Sequence, residues 1–237
     1  MTEPLPPVRP EGDGPPPDPW AHLRRHTPAR IALGRSGVSL PTREVLDFGL
    51  AHARARDAIH LPLDTARLGT ELRALGLDAP LVLHSQAQDR AQYLLRPDLG
   101  RRLDGASAAL LDEQRSEPSP ELVLVLGDGL SALGIQRHGA ALVAAIVEAL
   151  AGSWRLGPLV LVRQARVAVA DEVGERLNAA MVAMIVGERP GLSSPDSVGI
   201  YLTHAPRVGC TDAQRNCISN VRPDGQDLTT AARRLAW

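Results

Sequence analysis

The chain contains no lysine: all 26 basic residues are arginine. A phosphate-binding loop of the G-x-x-x-x-G-K-[ST] type is therefore impossible, as are a pyridoxal Schiff base and a lysine nucleophile. Aromatic residues make up only 3% of the chain, and Phe48 is the sole phenylalanine. A stacking platform for single-stranded nucleic acid needs more than this, so the core must be built from Leu, Val, Ala and Ile. Two cysteines occur, Cys210 and Cys217. Such usage fits a reducing, cytoplasmic setting and not a disulfide scaffold. Strong charge is missing as well: the formal net charge is -1, which points to neither nucleic acid nor an anionic membrane. No apolar run of about 18 residues is apparent, so no membrane span is expected. The start of the chain lacks the basic segment and apolar stretch of a secretory signal.

What is present is enough for a sizeable core: 237 residues, 44% of them apolar. The first 20 residues hold eight of the 20 prolines, Pro15, Pro16 and Pro17 in a row. Proline cannot donate to a helix, and this segment has little apolar bulk to bury, so residues 1–20 read as a Pro-rich disordered tail. Residues 21–78 read as a small helical N-terminal region, with helices over Thr42 to Ile59 and Thr65 to Leu75.

The pattern changes near Ala79. Short apolar runs, Leu81 to Leu83, Leu122 to Leu126, Leu159 to Val162 and Met181 to Val186, alternate with helical stretches at Gln88 to Leu95, Ser131 to Leu150 and Asp171 to Leu177. Continuous apolar strands separated by helices predict an α/β fold: a mostly parallel sheet covered on both faces. Ligands of such sheets bind outside the carboxyl ends of the strands. The segments to inspect are therefore His84-Ser85-Gln86, Gly127-Asp128-Gly129, Arg163-Gln164-Ala165 and Gly187-Glu188-Arg189-Pro190-Gly191.

Generic motifs are few. Gly127-Asp128-Gly129-Leu130-Ser131-Ala132 satisfies G-x-G-x-x-A between a strand and a helix. A dinucleotide fingerprint also needs an acid at the end of the next strand, where Arg163 and Gln164 stand instead. NADP remains open through Arg163, using Gly127 and Gly129. The plainer reading is a tight turn in which Ser131 or Asp128 caps the following helix. The seven histidines are scattered, and neither H-E-x-x-H nor C-x-x-C occurs, so no metal site is expected. No G-x-S-x-G elbow is present. Asp-x-His-x-x-Gly, by which some carriers donate a histidine to the cobalt of cobalamin, is absent too. Glu188 could accept hydrogen bonds from a ligand's amide or hydroxyl groups, although an ion pair with Arg189 or Arg207 is the plainer expectation. Thr211 or Asp212 would cap a helix carrying Cys217, and a buried cysteine is usually a small hydrophobe. No catalytic residue is identifiable.

Five blocks in one order are more specific than any of these. They are Arg54 to His60, Arg96 to Leu103, Gly127 to Ala132, Gly187 to Leu192 and Arg215 to Asn220. From about Pro28 to the C-terminus the chain resembles the small (light) subunit of ethanolamine ammonia-lyase. The resemblance implies a Rossmann-like domain at 79–237 that closes over adenosylcobalamin at an interface with a separate large catalytic subunit. It also implies a radical conversion of ethanolamine to acetaldehyde and ammonia, within a hetero-oligomer of large and small subunits. The family's cofactor contacts fall on Val167, through its backbone, on Glu188 and on Cys217. The missing His-donating motif agrees with base-on cobalamin. Some members begin with an amphipathic helix that directs them into a bacterial microcompartment, and this Pro-rich start does not resemble one. Two alternatives stand beside this: a free-standing NADP-binding oxidoreductase, and a purely structural partner of the large subunit.

Overall fold

A computed structural model describes residues 18–237. Most of the expected Pro-rich tail, residues 1–17, lies outside the described residues. The chain divides into two compact units, Met1–Ala53 and Arg54–Trp237.

In the first unit a 3-10 turn, Ala21–His26, precedes an irregular stretch over 27–41. No helix forms over 27–41. Gly34 and Gly37 adopt φ of 75° and 65°, a left-handed backbone that no helix can contain. Arg24 fastens the stretch by donating to the carbonyls of Ile31 (2.9 Å) and Ala32 (2.8 Å). Helix α1, Thr42–His60, begins in this unit and continues into the second.

The second unit is a six-stranded sheet with helices on both faces. Its strands are β1 (Leu81–His84), β2 (Leu122–Gly127), β3 (Val160–Arg163), β4 (Met181–Gly187), β5 (Val198–His204) and β6 (Arg215–Val221). The spatial order is β1-β3-β2-β4-β5-β6. The first four strands in that order run parallel, but β5 is antiparallel to β4 and β6 to β5. The sheet is thus mixed and not mostly parallel. The parallel half was legible because strands covered on both faces become continuous apolar runs. β6 carries only Ile218 and Val221 as large aliphatic residues and exposes most of its length, so it gave no such run.

Helices α2 (Thr65–Ala74), α3 (Arg90–Leu95), α4 (Gly105–Asp112), α5 (Ala132–Gly134), α6 (Ala140–Leu150), α7 (Val169–Arg176) and α8 (Leu228–Ala236) complete the unit, α5 and α6 being joined by a π-turn at Ile135–Gly139. Four helices start alike. Asp64, Asp89, Asp104 and Asp227 each accept the amide N–H three residues on, at 3.0, 2.8, 2.7 and 2.9 Å. Each such cap is worth about 1 kcal/mol. Strand alternation then sorts the core. Leu122, Leu124 and Leu126 face Leu68 and Leu72 of α2 and the apolar side of α6. Val123 and Val125 face Leu111 of α4 and Val173 of α7. The stretch Ala132–Leu150 is long and apolar enough, by length and composition alone, to cross a membrane. Here Ile135, Leu142, Val143 and Ile146 are buried in the core against the sheet, as in a core helix of a globular unit.

Candidate functional site

Two neighbouring strands, β2 and β4, end in glycine followed by a carboxylate: Gly127-Asp128 and Gly187-Glu188. Their ends cross closely. Gly129 sits at φ 58°, and a Cβ there would run into the Gly187 carbonyl oxygen; a Cβ on Gly187 would strike the Ser131 carbonyl. Leu130 N–H donates to Gly187 O at 3.0 Å. Both glycines are therefore required by contact of the chain with itself. At Gly127 a Cβ would likewise meet the Met184 side chain and, at 2.7 Å, Ala165 Cβ. The turn expected at Gly127 to Ala132 forms, but neither proposed cap does. Ser131 Oγ donates to Pro195 O at 2.8 Å and makes no cap hydrogen bond.

Asp128 instead closes a loop. Its carboxylate, 4% exposed, accepts from Gln164 N at 2.9 Å and Ala165 N at 2.8 Å, with Arg90 at 3.9 Å. Burial pushes its carboxyl up, against the pull of these donors. Arg90 donates in turn to Ile59 O (2.6 Å) and Gly129 O (2.8 Å). Tyr93 is fully buried and donates to Ala165 O at 3.0 Å. The guanidinium groups of Arg90 and Arg166 lie 4.7 and 4.3 Å from the centre of its ring, a cation–π arrangement. This assembly fixes the loop after β3.

Beyond that loop a cavity of about 420 Å³ opens at the carboxyl ends of β2, β3 and β4. Its walls include Val167, Glu188, Arg166, Arg189 and Tyr201, with Gly129 and Gly187 as bare backbone. Val167 and Glu188 are thus brought together. Cys217 is not on the wall. It is exposed, and it pairs directly with Tyr201 across β5 and β6. The expected helix carrying Cys217 is corrected to a strand. Thr211 and Gln214 do form a capping box, but the 3-10 turn they start, Asp212–Gln214, lasts three residues. β6 then takes its pairing with β5. Arg215 makes this possible. Buried with Asp171, it forms a two-pronged pair (Nη2 to Oδ2 2.7 Å) and donates to Thr203 Oγ1 and Cys210 O, both at 2.9 Å.

Glu188 is half-buried, and both its oxygens lie 3.2 Å from Asn220 N. The expected ion pair with Arg189 or Arg207 does not form among the described residues. Gly199 leaves the room: a Cβ there would come within 3.1 Å of Glu188 Oε1 and of Tyr201 Cε2. The Tyr201 phenol is pushed up to about 12 by burial, with Cys217 and Glu188 adding to the effect, so it is a hydrogen-bond donor at neutral pH. Sequence reasoning missed Tyr93, Arg166 and Tyr201. The only signal for the tyrosines was their rarity, two in the whole chain. No group of three or more metal-ligating side chains occurs among the described residues.

Chemically, this wall offers a carboxylate acceptor, a phenol donor, two guanidinium groups, a bare backbone floor and an aliphatic face. It offers no nucleophile–base pair. Comparison with known proteins gives these features a family. The model for "Ethanolamine ammonia-lyase light chain (EutC)" matches residues 17–237. The ethanolamine ammonia-lyase small subunit of Ralstonia nicotianae is 60% identical over 223 residues, covering 93% of this chain and 82% of the relative. Those of Pseudomonas paraeruginosa and Azotobacter vinelandii are 58% and 56% identical, over 93% of this chain and 81% and 82% of theirs. Matched over nearly its whole length, the chain belongs to the ethanolamine ammonia-lyase light-chain family.

Proposed function

We propose that this chain is the small subunit of an adenosylcobalamin-dependent ethanolamine ammonia-lyase, joining a large catalytic subunit in a cytoplasmic hetero-oligomer. In this reading the Rossmann-like part is the parallel half of the sheet, β1-β3-β2-β4, within residues 79–237. The observation that carries the proposal is the cavity at the strand ends that unites Val167 with Glu188. Its groups fit a corrinoid. The cofactor's side amides donate N–H groups that Glu188 can accept, and its rim is apolar enough for Val167 and the edge of Tyr201. The Val167 N–H has no acceptor among the described residues and is free for a ligand. Cys217, one strand over and exposed, would pack against the part of the cofactor leaving the cavity. A cavity of this size holds part of so large a molecule, which agrees with a site completed by a second chain.

When bound, adenosylcobalamin supplies the radical chemistry by which ethanolamine becomes acetaldehyde and ammonia. This chain's own work is to bind and orient. Asp128, Arg90 and Tyr93 hold the loop that presents Val167, while Arg215 and Asp171 hold the strand that presents Cys217. The NADP reading loses its footing at Gly127 and Gly129, whose bare faces are filled by Met184, Ala165 and Gly187 and so are not open to a pyrophosphate. The structural-partner reading keeps one support, the Asn220 N–H that already occupies Glu188.

Reconstitution tests the proposal. This chain, a cognate large subunit, adenosylcobalamin and ethanolamine should together yield acetaldehyde in a coupled reductase assay, and omitting either chain should abolish it. A formed complex that binds cobalamin equally well with wild-type chain and with a Val167, Glu188 and Cys217 triple variant would favour the structural-partner reading.

A further inference from the structure

We propose that Arg166 and Arg189 form an anion subsite on the cavity wall, and that its occupant is the phosphodiester of the cofactor's nucleotide tail. This inference rests on the cofactor reading above and names the part of the ligand that the subsite takes.

Both arginines line the same cavity as Glu188 and Val167. Neither has a carboxylate within ion-pair distance among the described residues. Arg166 is already positioned. Its guanidinium lies 4.3 Å from the Tyr93 ring centre, and Nη2 donates to Tyr93 O at 3.2 Å. Its Nε is buried with no acceptor, and Nη1 has none among the described residues. A buried N–H left without an acceptor is costly, and a charged donor more so. The buried Nε is closed to the cavity, so Nη1, neither fully buried nor bonded among the described residues, is the donor left for a ligand at the wall. Arg189 stands exposed on the opposite lip, in the Gly187 to Gly191 turn.

Charge selects the kind of acceptor. The one carboxylate on this wall, Glu188, has Asn220 N–H against both its oxygens. The wall therefore carries two cations against one anion. A corrinoid's side amides are neutral and would leave that excess unmatched. Its phosphodiester is a permanent monoanion with two free oxygens, which guanidinium groups bind with paired, charge-assisted hydrogen bonds. The division of labour that follows is simple: Glu188 accepts from an amide of the ring, and the two arginines donate to the tail.

The test uses the assembled complex of both subunits and two probes that differ only in a phosphate at this position, adenosylcobinamide phosphate, which carries it as a monoester, and adenosylcobinamide. Affinity is read by equilibrium dialysis with corrinoid absorbance, without turnover. Arg189→Gln should weaken binding of the phosphate-bearing probe about tenfold and leave the other within about twofold; adding Arg166→Gln should deepen the difference. Because Arg166 also packs on Tyr93, the exposed Arg189 position carries the test independently. Equal losses for both probes, or no loss for either, overturn the subsite while the cofactor reading stands. A wild-type complex that binds neither probe nor adenosylcobalamin overturns both.

Discussion

Asp128 and Glu188 stand one residue past the ends of adjacent parallel strands, each after a glycine, yet they do different work. Asp128 is 4% exposed and its lone pairs are used within the chain, on two backbone N–H groups and towards Arg90. Glu188 is half-buried, touches one N–H, and borders open space. The cause is the order of strands. Beyond β2 lies β3, whose following loop folds back onto Asp128. Beyond β4 lies β5, which runs antiparallel and carries Gly199 where a side chain would have filled the space. The lesson is that a strand-end carboxylate becomes a ligand group when its neighbour leaves it unsatisfied, whatever its local motif.

The sharpest way to break this comparison is to remove each carboxylate in turn. Asp128→Ala leaves two buried N–H groups without acceptors and Arg90 without its charge partner. It should cost about 3 kcal/mol and lower the Tm by about 10 °C, measured by calorimetry on the complex. Glu188→Ala should shift the Tm by no more than about 2 °C, since it loses one partly exposed hydrogen bond. It should instead weaken adenosylcobalamin about tenfold in equilibrium dialysis. Matching stability losses for the two variants would erase the distinction.

Acid sharpens it further. Glu172 is buried, and although burial works to raise its carboxyl, Arg102, the Leu103 N–H and Arg176 outweigh burial and hold it below the usual glutamate range. A depressed carboxylate stabilises fully above its unfolded pKa, and that contribution is lost as pH falls through the lower, folded value. Thermal midpoints should therefore fall on acidification below about pH 4, and less steeply in Glu172→Gln. The smallest effect is expected at Cys217. Cys217→Ser should change cobalamin affinity about twofold at most, because an exposed thiol contributes contact and little else. A loss as large as that of Glu188→Ala would make Cys217 a principal contact.

How much of this was legible beforehand follows burial. The four parallel strands, helices α1 and α2, and the turn at Gly127 to Ala132 could be read because continuous apolar runs and spaced apolar faces survive in the sequence. α4 and α8 were missed although Asp104 and Asp227 marked their starts. α4 is small and apolar all round, and α8 is short, so neither offers a long periodic face. The site was visible in part: Glu188 and Val167 lie at strand ends, where ligands of such sheets bind. Cys217 was assigned to the wrong element, because a genuine cap at Thr211 precedes a segment whose strand pairing is set by β5 alone.

The sequence by itself determined the parallel half of the sheet, helices α1 and α2 and the family, through local pattern and ordered blocks of residues. Only the tertiary structure decided that β5 and β6 close the sheet antiparallel, that the two strand-end glycines serve each other, and that Asp128 is spent while Glu188 is open. These are contacts between segments tens of residues apart. Their energy lies in which backbone N–H, carboxylate or guanidinium finds a partner after folding, and no window of sequence carries that information.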